Sequence, residues 1–342
     1  MATIYDVARR AKVSTATVSK VLSNTPYVSD TTKERVLEAV QELSYSPRLA
    51  ARSLSGNRTF VIGLAIPYAP DYLFNDPFLL QVIRGVEEIA NERDYNLLFS
   101  TALRSNPQSA YNRLLQHGYV DGVITLETAV GSEPSRKLEA SGIARVTIGY
   151  PVSLDAAPNR LANAIHCDDY RGALEATQHL LALGHRRIGL ISGPANFMVA
   201  IDERLRGYRD GLQAYNSPFQ PELVAYGDFT LESGYIAAQK LLPLSPTAIF
   251  SFNDRMATGA MRYAREVGLS VPDQLSLVGF DDVDLAKATE PGLTTVRQPA
   301  VNLGQIAAQK LLSLIAHESE AFDEVVLPVE LIIRGSTRSV AS

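Results

Sequence analysis

Two hydrophobic patterns follow one another along this chain of 342 residues, and the change comes near residue 60. Before it, apolar residues recur at helical spacing in short segments. After it, short apolar runs alternate with longer amphipathic segments, as in repeated strand–helix units. The pattern therefore predicts a small helical domain followed by a large α/β core.

The first segment predicts two short helices separated by a tight turn. Thr3 is expected to cap the first helix, and Asp6, three residues later, to complete a capping box. The apolar stripe of this helix falls at i, i+3, i+4 and i+7, on Ile4, Val7, Ala8 and Ala11.

The second helix turns large apolar residues inward and small polar residues outward. Ser14 is expected to cap it. The inward set is Val18, Val21 and Leu22, and the outward set is Thr15, Thr17, Ser19 and Lys20. A helix that presents hydroxyl groups and a cation after a short turn suits the major groove of DNA. A small helical cap with ordinary surface residues is the alternative.

A third helix is predicted from about Ser29 to Leu43, with Val36, Leu37, Val40 and Leu43 facing inward. The three helices would make a headpiece over residues 1–45. Such a unit is small, and it needs the shared apolar faces of all three helices to form a core.

Residues 46–58 are predicted to form a hinge helix and linker. Ser46 can cap this helix, Pro47 suits its first position, and Gly56 ends it. A helix of about eight residues is marginal alone, because the cost of nucleation is not recovered below roughly 12–15 residues. It should therefore form only when something packs on it; a flexible linker is the alternative.

Residues 59–342 are predicted to form two similar α/β lobes of parallel sheet with a cleft between them. Helices are expected at Leu79–Glu92, Arg171–Leu183 and Glu232–Leu242. The strands expected in the first lobe are Phe60–Pro67, Asn96–Thr101, Gly122–Leu126 and Arg145–Tyr150. Those expected in the second are Ile165–Cys167, Arg187–Gly193, Leu223–Tyr226, Ala248–Phe252 and Leu275–Phe280.

Charge is divided between these two parts of the chain. The net charge is −5, but residues 1–58 hold nine Lys/Arg against five Asp/Glu, and the rest holds 23 against 32. A basic N-terminal region before an acidic remainder is expected of a DNA-binding domain attached to another module.

Composition and motifs argue against membrane proteins, exported proteins and enzymes. No apolar run is long enough to span a membrane, and charged residues occupy the N-terminus where a signal peptide would be apolar. A single cysteine, Cys167, allows no intramolecular disulfide and agrees with a reducing cytoplasm. No metal-ligand spacing, phosphate loop, dinucleotide fingerprint or nucleophile elbow is found, so neither a cofactor nor an enzyme activity is expected. His185, in a turn before a strand, is expected to be structural.

Three polar residues are the main candidates for binding a small molecule in the cleft: Arg204, Asn253 and Asp281. Asn253 and Asp281 each follow an apolar strand, and α/β sheets present ligand-binding groups at these strand ends. A guanidinium, an amide and a carboxylate can together saturate a polyol with hydrogen bonds. Alternatively, Asn253 and Asp281 are helix caps and Arg204 is a surface residue paired with Asp202 or Glu203. Gln298, Phe78 and Phe197 are weaker candidates.

The motifs Thr3-Ile4-x-Asp6-Val7-Ala8 and Val13-Ser14-x-x-Thr17-Val18-Ser19 resemble the start of the lac repressor/galactose repressor family, nearest its purine repressor branch. The core carries further matches, among them Gly184-His185-Arg186-Arg187, Asn253-Asp254 and Asp281-Asp282. The resemblance implies a helix-turn-helix headpiece before a core like a periplasmic sugar-binding protein. Chain crossings are then expected near 161, 292 and 325, with lobe 1 at about 59–161 and 293–325 and lobe 2 at about 162–292 and 326–342.

The resemblance also implies roles for residues and partners. Expected DNA base contacts are Thr15, Ala16, Lys20 and the hinge wedge Leu54, and expected backbone contacts are Thr3, Ser14, Thr17, Ser19, Tyr45 and Arg52. Arg204, Asn253 and Asp281 would contact an effector, most simply a sugar. Two departures from the family are Arg48, where Asn is common, and Gly149, where Asp is common.

The expected function is a DNA-binding transcription regulator, most simply a repressor, that binds a pseudopalindromic operator as a homodimer or tetramer. Whether the effector induces or corepresses stays open. A nucleobase or a phosphocarrier protein could replace the sugar. The rivals from other classes are a solute-binding protein without a DNA role and an enzyme on a two-lobed scaffold.

Replacing Lys20 with Ala should weaken operator binding by ~1–3 kcal/mol and relax specificity at one base position, because Lys20 would contact guanine O6 or N7. Footprinting and affinity measurements test this. An unchanged footprint and affinity would show that the recognition helix is wrongly assigned.

Overall fold

The structure is a computed structural model, and the residues it describes are 2–22, 28–45, 58–66, 73–102, 109–115, 118–126, 141–150, 163–195, 198–319, 321–322 and 324–340. The predicted hinge helix, with Arg48, Arg52 and Leu54, lies outside these ranges, as does Phe197.

Three helices form the N-terminal headpiece: α1 (Ile4–Ala11), α2 (Thr15–Leu22) and α3 (Asp30–Glu42). The predicted capping box of α1 is confirmed, because Thr3 Oγ1 accepts from the Asp6 amide and the Asp6 carboxylate accepts from the Thr3 amide at 2.9 Å. The Ser14 cap of α2 is confirmed as well, since Ser14 Oγ accepts from the Thr17 amide at 3.1 Å.

The headpiece core is built from one apolar face of each helix. Val7, Val18 and Val36 are fully buried at its centre. The prediction that Leu37 faces inward is wrong, because Leu37 is 53% exposed and Ala39 is buried instead. The face of α3 follows Val36, Ala39, Val40 and Leu43, and Leu37 lies just off this i, i+3, i+4, i+7 stripe.

The core contains two six-stranded sheets. The first sheet comprises β1 (Val61–Ile66), β2 (Asn96–Thr101), β3 (Gly122–Leu126), β4 (Ala144–Ile148), β5 (Ala164–Cys167) and β11 (Glu324–Leu327). The second comprises β6 (Ile188–Ser192), β7 (Val224–Tyr226), β8 (Ala248–Ser251), β9 (Ser276–Asp281), β10 (Thr294–Arg297) and β12 (Glu330–Ile332). The strand order across the first sheet is β11–β5–β4–β3–β1–β2, all parallel, and across the second β12–β10–β9–β8–β6–β7, parallel except for the β12 edge.

Helices cover these sheets, and each sheet with its helices has a hydrophobic core of its own. Lobe 1 carries α4 (Pro77–Glu92), α5 (Ser109–Leu115) and α11 (Ala300–Ile315). Lobe 2 carries α6 (Asp169–Ala182), α7 (Val199–Ala214), α8 (Leu231–Leu241), α9 (Asp254–Glu266) and the short α10 (Asp284–Ala288), with 3-10 turns at Pro221–Leu223 and Leu242–Leu244. Among the described residues, no helix is long and apolar enough to cross a membrane.

The sequence pattern assigned Ile165–Cys167 to the second lobe, and this is wrong: β5 pairs with β4 and β11 in the first sheet. The chain passes between the lobes after β5, after β10 and between β11 and β12, later than the expected crossings near 161, 292 and 325. Strands of three or four apolar residues do not reveal their sheet, because pairing with a partner decides it.

Lobe 1 depends on two helices that touch along their backbones. A Cβ on Gly85 of α4 would lie 1.9 Å from the Val301 carbonyl oxygen, and one on Gly304 of α11 would lie 2.0 Å from that of Val82. Only glycine permits this approach. The contact joins the middle of α4 to the first half of α11.

Two histidines, the buried His185 and the half-buried His179, hold the C-terminal segment against lobe 2. His185 contacts Thr247 Oγ1 at 3.0 Å and the Arg338 carbonyl oxygen at 3.1 Å, and His179 contacts Thr337 Oγ1 at 3.0 Å. The expected structural role of His185 is therefore confirmed. Burial lowers the pKa of both imidazoles, since the charged form would be poorly solvated.

The free energy of unfolding should therefore contain a part that falls as pH drops below about 6.5, the ordinary histidine pKa. The unfolded chain takes up protons there before the folded one does, because both folded pKa values are lowered. In urea unfolding between pH 7.5 and 5.5, His185→Gln should show a weaker loss of stability than the parent. His317→Gln, at an exposed position, is the control; equal slopes for all three proteins would contradict the expectation.

Candidate ligand cleft and DNA-binding surface

A cavity of about 820 Å³, counting the space at its mouth, lies between the two lobes. The ends of β3, β4, β5 and β9 border it, together with the first turns of α4, α6 and α7. Parallel sheets present ligand-binding groups at their carboxyl ends, so two sheets facing one another make a two-sided site. The mixture of apolar and polar lining residues suits a small organic molecule.

The polar wall of the cavity consists of Asp169, Arg204, Asn253, Asp281 and Gln298. Its centre is an ion pair between Arg204 on α7 and Asp169 at the start of α6. Arg204 Nε lies 2.6 Å from Asp169 Oδ1, and the two side chains are only 11% and 4% exposed. The guanidinium also donates to the Phe252 carbonyl oxygen and stacks 3.8 Å from the centre of the Phe280 ring. Burial raises the pKa of Asp169, and the Arg204 charge opposes that rise.

This pair corrects one alternative from the sequence. Arg204 is not a surface arginine bound to Asp202 or Glu203, because it points into the interior and bonds Asp169. Glu203 instead pairs with Arg206, which is exposed. The helical spacing places Arg204 and Arg206 about 200° apart around α7, so they face opposite sides.

Asn253 both caps a helix and lines the cavity. Its Oδ1 accepts from the Met256 amide at 2.8 Å at the start of α9, and its Nδ2 donates to the Phe229 carbonyl oxygen at 3.0 Å. The capping interpretation and the ligand interpretation of Asn253 are therefore compatible. The amide is fixed at both ends, so it is held in one orientation at the cavity wall.

Asp281 and Gln298 form a second polar pair at the wall. Gln298 Nε2 donates to Asp281 Oδ1 at 2.7 Å, which joins the end of β9 to the connection between β10 and α11. Asp281 has a φ of 115°, a conformation rare for a residue with a side chain. Burial raises the pKa of Asp281 well above its ordinary value, while Arg204 opposes the rise. The chain accepts strain and desolvation here, a combination found most often at functional sites.

The sequence interpretation missed several residues that line the cavity. Asp76 is buried and caps α4 by accepting from the Phe78 amide at 2.9 Å. Tyr150 and His166 stack with ring centres 3.8 Å apart, and both border the cavity. Asp76 could have been found from its position before Pro77 at a helix start; nothing in the sequence brings Tyr150 to His166, because β4 and β5 meet only in the sheet.

The remaining predicted cleft residues divide in two. Phe78 lines the cavity, and Phe197 lies outside the described residues. Gly149 also lines the cavity and has a φ of 130°, which only glycine adopts without strain. A side chain at this position would be strained, so glycine suits it and exposes bare backbone to the cavity. No group of three His, Cys, Asp or Glu in the described part of the chain could hold a metal ion.

The predicted DNA-contacting residues that the structure describes are Thr3 before α1, Ser14, Thr15, Ala16, Thr17, Ser19 and Lys20 at or in α2, and Tyr45 after α3. Ala16 and Lys20 on α2 are exposed, and Thr15, Thr17 and Ser19 are half-buried. The hydroxyls of Ser14 and Thr17 lie 2.9 Å apart, and that of Thr3 donates to Asp6 at 2.7 Å. Tyr45 is only 9% exposed and packs in the headpiece core, so most of its ring is structural.

Comparison with known proteins accounts for both parts of the chain. Residues 3–48 match the family described as bacterial regulatory proteins, lacI family, and residues 177–337 match a periplasmic binding protein-like domain. The HTH-type transcriptional repressor CytR of Escherichia coli (strain K12) is 35% identical over 99% of this chain and 97% of its own length. The HTH-type transcriptional regulator DegA of Bacillus subtilis (strain 168) is 36% identical over 98% of each chain.

The chain belongs to the lacI family of bacterial regulatory proteins. It is a DNA-binding transcription regulator, and the resemblance stated from its motifs is confirmed. The fold agrees across the whole length. The lac repressor dimer bound to operator and the anti-inducer ONPF has a TM-score of 0.85 at 30% identity, over 98% of this chain and 99% of that one. The complex of the regulator CelR with cellobiose has a TM-score of 0.76 at 32% identity, over 98% and 100%.

In this lacI-family chain, replacing Arg204 with Met should lower the free energy of unfolding by ~3–5 kcal/mol, because Asp169 would stay buried without its cation. Chemical denaturation measures this. The matched control is Arg206→Met on the same helix, which breaks an exposed pair worth at most ~1 kcal/mol.

The double variant Arg204→Met/Asp169→Asn should recover a large part of the lost stability, because it removes the unpaired charge. If the double variant is no more stable than Arg204→Met, the buried ion pair is not the source of the loss.

Proposed function

We propose that this regulator binds a pseudopalindromic operator as a homodimer, represses transcription from it, and is switched by a sugar-like effector held between its lobes. The observation that carries this proposal is the presence, in one chain, of an exposed recognition face on α2 and a polar cavity between two lobes. The relatives with full-length similarity support it: one is named a repressor, and one structure is a dimer on its operator.

In the headpiece, Ala16 and Lys20 would contact base edges together with Thr15. Lys20 suits guanine, and the small Ala16 suits a thymine methyl group. Thr3, Ser14, Thr17 and Ser19 would contact phosphates. Two-fold symmetry of the dimer then requires two inverted half-sites, which would appear in a footprint as two protected segments related by symmetry.

The hinge segment 46–58 would join the headpiece to lobe 1 and pair with its dimer mate over the minor groove. Leu54 would enter the central base step, and Arg52 would lie near the backbone. Two hydrogen bonds hold the start of the core where this segment ends. Arg58 Nη2 donates to the Ile315 carbonyl oxygen at 3.0 Å, and the Asp121 carboxylate accepts from the Thr59 amide at 2.6 Å.

The geometry of lobe 1 determines how an effector could act on this hinge. The segment enters at the amino end of β1, whereas the cavity lies at the carboxyl ends of the strands. A strand of six residues separates the cavity by roughly 20 Å from the point where the segment joins the core. Switching would therefore use rotation of the lobes about the three crossings, and the effector must bind the two arrangements unequally.

A sugar is favoured because the polar wall offers a carboxylate, an amide and a guanidinium, which match paired hydroxyl groups. The relative CelR, whose structure is a complex with cellobiose, supports this choice. The proposed chain divisions are a headpiece at 1–45, a hinge at 46–58 and a two-lobed core from 59 onward.

Replacing Asp281 with Asn should leave operator affinity within about 2-fold of the parent but weaken the effector by ~10–100-fold, since a hydrogen bond to a charged group contributes ~1.5–3 kcal/mol. Operator release is measured by fluorescence anisotropy during titration with a sugar panel. Asp284→Asn, at a side chain 95% exposed, is the control. If Asp281→Asn releases the operator at the same sugar concentration as the parent, Asp281 is not part of the effector site. If the parent protein binds no operator, the proposed function itself is wrong.

A further inference from the structure

The chain makes a strained turn where the hinge segment joins lobe 1. Phe60, the last residue before β1, has a φ of 55°, in the left-handed region. Bulky residues rarely occur there, because the Cβ atom lies too close to the following carbonyl oxygen. A conformation of this kind persists only where the surrounding contacts hold it in place. We call residues 58–60 the elbow.

One carboxylate holds the elbow through three hydrogen bonds. Asp121, the residue before β3, accepts through Oδ1 from the Thr59 amide at 2.6 Å and from the Thr59 hydroxyl at 2.8 Å. Its Oδ2 accepts from the Phe60 amide at 2.9 Å. Hydrogen bonds to an ionised group are roughly twice as strong as those between neutral groups. Because both oxygens bind consecutive residues, they fix the direction of the chain at the elbow as well as its position.

Further contacts join the elbow to lobe 1. Arg58 Nη2 donates to the Ile315 carbonyl oxygen at the end of α11, at 3.0 Å. The Phe60 carbonyl oxygen accepts from the Asn96 amide at 2.9 Å, and the Phe60 ring lies 5.3 Å from the ring of the buried Tyr95. All these partners belong to lobe 1, so lobe 1 sets the direction in which the chain leaves the core.

The core itself gains little from this strained turn. β1 pairs with β2 from Val61 onward and with β3 from Ile62 onward. What the elbow fixes is the direction of the segment that leads to the headpiece. In a dimer, two such segments must meet over one operator, and a direction fixed in advance reduces the conformational entropy lost on binding.

We propose that Asp121 is a positioning residue for operator binding: through the elbow, it fixes the direction in which the DNA-binding part of the chain leaves lobe 1. The proposal rests on the proposed function, because it requires an operator. It assigns to DNA recognition a residue of the core that touches no DNA. Asp121 acts by ordering Thr59 and Phe60 before the operator is bound.

The test compares specific and nonspecific DNA binding by the full chain. The specific probe is a duplex that the parent protein selects from a random pool, and the nonspecific probe is the same duplex with its sequence scrambled. Asp121→Asn places an amide nitrogen where a carboxylate oxygen accepts. It should weaken binding to the selected duplex by ~10-fold, because binding must then order residues that the parent holds ordered. Binding to the scrambled duplex should change by less than about 2-fold, since phosphate contacts dominate it.

Glu318→Gln is the matched control for the lost charge. Glu318 is exposed and lies three residues beyond Ile315, at the end of α11 that the elbow contacts. Its replacement should leave the ratio of specific to nonspecific affinity unchanged. Removing a negative charge favours DNA binding electrostatically, so a loss in Asp121→Asn has the opposite sign to a charge effect.

Thr59→Val gives a second test that leaves Asp121 in place. It removes the hydroxyl that donates to Oδ1 and should lower the ratio of specific to nonspecific affinity by ~3-fold. Thermal unfolding shows which variants are folded at the assay temperature. An unchanged ratio in the folded variants, or an equal loss for both duplexes, overturns the proposal. A parent protein that selects no duplex from the pool contradicts the proposed function, and this proposal with it.

Discussion

The structure depends on the order in which the chain builds its two sheets, because each sheet receives its last strand only after the chain has formed strands of the other. The chain builds five strands of the first sheet, passes to the second, returns through α11 to add β11, and ends on β12. Each crossing is a covalent connection, so the chain joins the two lobes at three segments. The cleft therefore lies between two separately folded lobes that the chain holds side by side.

Charged groups reinforce the crossings on the side of lobe 2. The Asp282 carboxylate is almost fully buried and accepts from Arg297 at 2.8 Å and from Arg334, while Arg297 also reaches Glu330 at 3.1 Å. These contacts tie β9, β10 and β12 together where the chain leaves and re-enters the lobe. These ion pairs strengthen the edge of the second sheet next to the connecting segments.

Burial of carboxyl groups at the cavity is unfavourable in the free protein, and a bound ligand can offset part of this free energy. Burial raises the pKa of Asp76, Asp169 and Asp281, which means that their charged forms are poorly solvated in the free protein. Hydroxyl groups of a bound molecule would add hydrogen bonds to these carboxyl groups. Binding energy and lobe position are then linked by the same groups, as an allosteric regulator requires.

The sequence predicted the local features well, because they depend on neighbouring residues. The capping box of Thr3 and Asp6, the three headpiece helices and all nine expected strands are present, with strand ends that differ by at most two residues. Arg204, Asn253, Asp281 and Gln298 were found as cavity residues from their motifs and their positions after strands.

What the sequence by itself determined was thus the order and type of elements, the basic headpiece, and the polar residues at strand ends. The tertiary structure alone decided that β5 belongs to lobe 1, that Asp169 is the partner of Arg204, and that Tyr150 stacks on His166. Periodicity is set within a few residues along the chain, whereas these contacts join segments that meet only when sheets pair and lobes close on one another.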